Sequence, residues 1–178
     1  MGGNLAKRIR TLVKRAVSAI RLKILVFGPQ VHTPSTDPRT SRLQAKRKEI
    51  RAELEKGHHT VRYAEDLVDP SITGPLGNML FQELLIMQEY DLIVVIVDSP
   101  GSITEATAIS LKPTLAEKSS LFLDAAYTTG LVAETCRNAR DCGAHYQEYQ
   151  FPRDLDACHL LTHVMTRAEL VQKTKLLL

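Results

Sequence analysis

Strand-like and helix-like segments alternate five times along this chain, which predicts an α/β fold. The simplest arrangement is a flavodoxin-like, doubly wound, five-stranded parallel sheet with an extra N-terminal basic amphipathic helix. Besides the alternation, two observations point there. The segment Asp91-Leu-Ile-Val-Val-Ile-Val-Asp98 is apolar at every interior position, as a central parallel strand is when helices cover both its faces. The chain has 178 residues, 44% of them hydrophobic, a size that suits one domain with a substantial core.

The elements follow in order. Leu5, Ile9, Leu12, Val13, Ala16, Val17 and Ile20 recur at helical spacing, with basic residues opposite them, so residues 1–21 are expected to form a basic amphipathic helix and residues 22–178 the α/β domain. Such a helix suits anionic lipid, nucleic acid, a protein partner or the flank of its own domain. "LKILVFGPQ" reads as a buried first strand with a sharp Gly28-Pro29 turn. Asp37 is placed to cap a helix with Pro38 at its first position, running to Glu55 or Lys56, with Gly57 as C-cap. "HHTVRYAEDL" supplies a second strand, Pro70, Gly74 and Pro75 mark a loop, and "LGNMLFQELLIMQEY" forms a third helix. After the central strand a helix is expected over about Ile103 to Leu115. It is followed by a strand at "SSLFLD", a helix ending near Gly143, a polar edge strand at "HYQEYQF", and a last helix from about Asp154.

Charge is uneven. The first 36 residues hold seven basic side chains and no acid, so the remaining 16 basic groups face 20 acids. The body is mildly acidic, and the basicity belongs to the N-terminal helix. Three cysteines (Cys136, Cys142, Cys158) are too few for a disulfide frame and read as reduced thiols. With no signal-peptide apolar region at the start and no stretch long enough to span a bilayer, the expectation is a cytoplasmic protein without a transmembrane segment.

In such sheets ligands bind beyond the carboxyl ends of the strands, near the point where strand order reverses. Asp98-Ser-Pro-Gly-Ser-Ile-Thr-Glu105 lies at the end of the central strand. Ser102 and Glu105 fit a capping box, which needs no function. Other features favour a site. Pro100 and Gly101 keep the turn rigid and small, and Asp98 brings a second carboxylate. A Glu at a helix N-terminus is expected to keep a low pKa and stay ionised, which suits stabilisation of, or attack on, an oxocarbenium-like sugar carbon.

A strand ending in Gly28-Pro29, together with an apolar strand ending in Asp98 and a Ser-Pro-Gly-Ser-x-x-Glu turn, resembles the nucleoside 2-deoxyribosyltransferase-like superfamily, over roughly residues 22–165. Related N-glycosidase and TIR-like NAD-cleaving domains share the architecture. The resemblance implies that Gly28 and Pro29 line a nucleoside pocket, that Glu105 is the nucleophile, and that Asp98 helps handle the base. It also implies an affinity with effectors of anti-phage systems, retrons among them, and with proteins whose neighbouring copies complete the pocket. The chain departs from the family pattern at Leu25, where an aromatic residue is usual, and at Ala106-Thr107-Ala108, where a glycine is usual.

Glu65-Asp66, at the same edge, is placed to bind ribose hydroxyls or to form a solvated loop pair. Arg39 and Arg42 suit a phosphate at a helix N-terminus or a plain surface role. Tyr127 is a candidate to stack on a base. Cys158, His159 and His163 share a helix surface without a metal motif. With no Walker loop and no GxGxxG run, neither a metal nor a cofactor is expected.

The resulting expectation is an enzyme that cleaves or transfers across the N-glycosidic bond of a nucleoside, nucleotide or NAD. Glu105 and Asp98 would be catalytic, and Gly28, Pro29, Glu65, Asp66, Ser99, Gly101 and Ser102 would bind substrate. Expected partners are that substrate, further copies of the chain, and nucleic acid or protein at the basic helix. The alternative is a non-catalytic nucleotide-binding sensor or partner-interaction module.

Overall fold

A computed structural model describes residues 2–72 and 74–178; Met1, the first residue of the predicted basic helix, lies outside the described residues. Five parallel strands form one sheet in the order 2-1-3-4-5. They are β1 (Lys23–Phe27), β2 (Thr60–Tyr63), β3 (Leu92–Val97), β4 (Ser119–Asp124) and β5 (His145–Tyr149). The helices are α1 (Gly2–Ala19), α2 (Pro38–Lys56), α3 (Met79–Gln88), α4 (Pro100–Ser110), α5 (Pro113–Ala116), α6 (Leu131–Asp141), α7 (Arg153–Asp156) and α8 (His159–Leu177). This is the expected flavodoxin-like doubly wound arrangement.

Strand alternation sorts the core into two layers. Ile24, Val26, Val94, Ile96 and Phe122 pack against Leu43, Ile50 and Leu54 of α2 and Leu160, Val164 and Ala168 of α8. Leu25, Phe27, Ile93, Val95, Val97 and Leu123 face Met87 of α3, Ala106 and Ile109 of α4, and Ala133 and Cys136 of α6. All six β3 residues are buried, each such aliphatic side chain contributing about 1.5–3 kcal/mol by burial. β5 is half-exposed and polar, as an edge strand is.

Local signals explain most boundaries. Asp37 Oδ2 accepts from the Thr40 N–H at 2.7 Å, and Pro38 opens α2. Gly57 caps its far end, but the positive φ of 62° falls on His58. β2 is shorter than predicted because Ala64–Asp66 tighten into a 3₁₀ turn. α4 begins three residues before the expected Ile103. Pro100, with no N–H to satisfy, takes the first helical turn, and Ser99 is the N-cap. The expected continuation to Leu115 is broken at Lys112-Pro113, where proline cannot extend a helix. Among the described residues no helix is long and apolar enough to cross a membrane.

Candidate functional site

The crevice between β1 and β3, where strand order reverses, is built around a buried arginine. Arg47 of α2 is fully buried. It lies on the stripe Leu43–Arg47–Ile50–Leu54, so its guanidinium is carried inward with the aliphatic neighbours. Its Nη1 donates to Gly28 O (3.2 Å), Pro29 O (3.1 Å) and Glu65 Oε1 (2.7 Å). Its Nη2 donates to Val26 O and to Glu65 Oε2, the latter at 2.6 Å. Its guanidinium also lies 4.6 Å from the Tyr63 ring centroid. This cation pins the end of β1 and the Gly28-Pro29 turn to the loop after β2. Gly28 has φ +145°, and a Cβ there would stand 3.3 Å from Ile96 Cβ, so the turn requires glycine.

Glu105, in the second turn of α4, lies within reach of the Arg47 charge. Its side chain is buried and its Oε2 has no hydrogen-bond partner. Burial pushes its pKa up to about 8; the Glu83 carboxylate adds to the rise, and Arg47 opposes it. Burial and Glu65 likewise raise Glu83. This corrects the expectation of a low, helix-stabilised pKa. The cap that would have held Glu105 at the helix start is formed instead by Ser99 and Ser102. Ser99 Oγ accepts from the Ser102 N–H at 3.3 Å, and Ser102 Oγ accepts from the N–H groups of Asp98 (3.0 Å) and Ser99 (2.9 Å). A short hydroxyl at the third helical position completes the box, and Glu105 lies too far along the helix to reach back. Gly101 leaves room beside the carboxyl, since a Cβ there would sit 3.6 Å from Glu105 Oε1.

Asp98 belongs to a second cluster, at the ends of β3 and β4. Arg39 Nε and Nη2 both donate to Asp98 Oδ1 (2.8 and 2.7 Å), and its Nη1 lies 2.8 Å from Asp124 Oδ2. The guanidinium stacks over Phe151 at 4.5 Å and Tyr127 at 5.4 Å. Partial burial works against its charge, but the two aspartates outweigh this and raise its pKa. Tyr149 is buried beside them, its hydroxyl without a partner. Burial raises its pKa, and Asp98 adds to the rise. A cavity of about 350 Å³ opens here, lined by Asp98, Ile103, Leu123, Tyr127, Thr129 and Leu131 among others.

The structure therefore divides the predicted residues. Gly28, Pro29 and Glu65 meet through Arg47, with Glu105 under the influence of the same charges. Asp98 stands apart from them: the groups acting on Glu105 are Glu83, Arg47 and Glu65, and Glu105 does not line the cavity beside Asp98. The two carboxylates therefore do not share this cavity: Asp98 lines it, and Glu105 lies buried under the influence of Glu83, Arg47 and Glu65. Ser99 and Ser102 spend their hydroxyls on the cap. Glu65 is engaged by Arg47, and Asp66 by His32 (2.6 Å) and Arg51 (3.7 Å). Arg39 leaves the surface for the Asp98 cluster, whereas Arg42 stays exposed beside Asp156 at 3.2 Å. Arg47, Glu83 and Tyr149 were not anticipated. A basic residue in an otherwise aliphatic helical stripe was the legible sign of Arg47.

No curated protein shows significant similarity to the chain. Residues 43–130, just under half of the chain, match the family model described as "STM3845 retron effector protein". The matched segment, which is similar to that retron effector family, carries Arg47, Glu65, Glu83, Asp98, Glu105 and Asp124.

Proposed function

We propose that the chain is a retron-type effector with an anti-phage role and an enzyme that breaks the N-glycosidic bond of a nucleoside, nucleotide or NAD, with Glu105 as the carboxylate that meets the sugar C1′. The observation that carries this reading is the unpartnered Glu105 carboxyl, buried at the sheet's switch point. A buried, hydrogen-bond-free acid is costly to maintain, and groups of this kind cluster at functional sites.

Its resting state selects among the substrates. At neutral pH most Glu105 is protonated, because its pKa is about 8, and a protonated carboxyl is no nucleophile. A pyridinium N-glycoside such as NAD brings a positive charge, which favours the carboxylate form. Attack by a Glu105 oxygen forms a C1′–O bond while the C1′–N pair returns to the ring nitrogen. Nicotinamide then departs neutral and needs no proton. Water resolves the glycosyl ester, and another acceptor alcohol would give transfer instead. A neutral nucleoside would need a proton donor for its base, and Asp98, held by Arg39, is poorly placed for that. Arg47 positions the Gly28-Pro29 turn against the sugar.

The test is base release, followed by chromatography, from NAD, nucleotides and nucleosides. Wild-type protein should release nicotinamide, and Glu105→Gln should release none while melting normally. Undiminished release by the variant would contradict the proposal.

A second reading rests on the cavity beside Asp98, which has an aromatic wall at Tyr127 and suits a bound base without chemistry. In that case Glu105→Gln would retain nucleotide affinity, and the wild type would release nothing.

A further inference from the structure

Helix α1 leaves its apolar stripe in water. Leu5, Ile9 and Leu12 are 63%, 52% and 62% exposed, and Val13 is 47% exposed. Among the described side chains of α1, only Val17, near the helix end, is buried. The helix carries Lys7, Arg8, Arg10, Lys14 and Arg15, and no acid. At 100° per residue the apolar positions share one arc. Arg8 and Arg15 stand on one shoulder of it, and Lys7, Arg10 and Lys14 on the other.

Helix α8 packs beside the latter part of α1. Gln172 Nε2 donates to Ile20 O at 2.8 Å, and Glu169 and Lys173 border a groove whose α1 wall mixes Ile9, Val13 and Val17 with Arg10, Lys14 and Ser18. Leu161 and Met165 of α8 lie with Ser18, Gly57 and His59, and Lys175 pairs with Asp91 at 2.6 Å, so α8 packs against the end of α1 and leaves the earlier turns of α1 uncovered.

We infer that the exposed α1 face is a docking surface for an anionic lipid bilayer. Charge and apolarity together choose the occupant. A helix lying in the headgroup plane buries an apolar arc among acyl chains while cations on both shoulders meet lipid phosphates. Nucleic acid would satisfy the five cations but leave the leucines in water. A second copy would cover the leucines but set one acid-free helix against another.

The test uses the full-length protein and sedimentation with vesicles of phosphatidylcholine, with and without phosphatidylglycerol. Binding should be at least about tenfold stronger with the anionic lipid and should weaken as salt rises. The chain has no tryptophan, so a Leu12→Trp variant reports insertion by a blue shift in its emission. Leu5→Gln/Leu12→Gln and Arg8→Gln/Arg15→Gln should each weaken binding about tenfold or more with an unchanged melting curve. Equal binding to neutral vesicles, no vesicle binding, or variants that bind as well as wild type would each overturn the inference. Without vesicle binding, duplex DNA capture lost only in the arginine variant would assign the face to nucleic acid. Self-association lost in the leucine variant would assign it to a second copy.

Discussion

The turn from β3 into α4 carries two carboxylates seven residues apart, and the structure treats them in opposite ways. Asp98 is held by two N–H groups of Arg39, which also bridges to Asp124. Glu105 is buried without a partner for Oε2 and is pushed up to about 8. Two acids of one segment thus differ in their surroundings: Asp98 is tied to a guanidinium, and Glu105 is buried without a hydrogen bond. A carboxylate tied to a guanidinium is spent on architecture, whereas an unpartnered one keeps its chemistry available to a ligand.

The comparison breaks first at Glu105. Replacing it with Gln should lower base release by about 10³-fold or more, since a group that bonds to the reacting carbon is removed without changing its shape. Arg47→Met comes next. It leaves Glu65 without its partner and frees the carbonyls of Val26, Gly28 and Pro29, and it should cost about 3–5 kcal/mol in urea unfolding. If stability hardly changed, the Gly28-Pro29 turn would have another anchor.

The pH dependence of stability sharpens the contrast. Because the folded pKa of Glu105 is raised above its ordinary value, its contribution is fully present below about pH 4.5 and is lost as pH rises through about 8. Glu105→Gln stays neutral throughout, so its melting temperature should gain on wild type by several degrees between those limits. A constant difference would mean that Glu105 titrates like a solvated acid. The smallest effect belongs to the cap: Ser99→Ala should cost about 1 kcal/mol, measured by thermal unfolding.

The fold was legible because its signals are local and repeated: an uninterrupted apolar β3, Asp37-Pro38 at the start of α2, and a polar β5. The ends of β1 and β3 were legible too, since the Gly28-Pro29 turn and Asp98 close apolar strands. What escaped was the partnering. Whether Asp98 faces Glu105 or Arg39 depends on a helix 59 residues earlier in the chain. Ser99 displaced Ser102 as N-cap because Pro100 was free to begin the helix, and that shift moved Glu105 from a solvated first turn to a buried second one. Arg47 sat in an aliphatic stripe, where a charge counts as an exception until its acceptors are known.

The pH profile of kcat/KM for nicotinamide release from NAD tests the central claim most directly. If Glu105 must lose its proton to act, activity should climb with pH and level off above about 8, in step with the raised pKa of the free protein. A profile already flat from pH 5 upward, or one that falls through that range, would contradict the account.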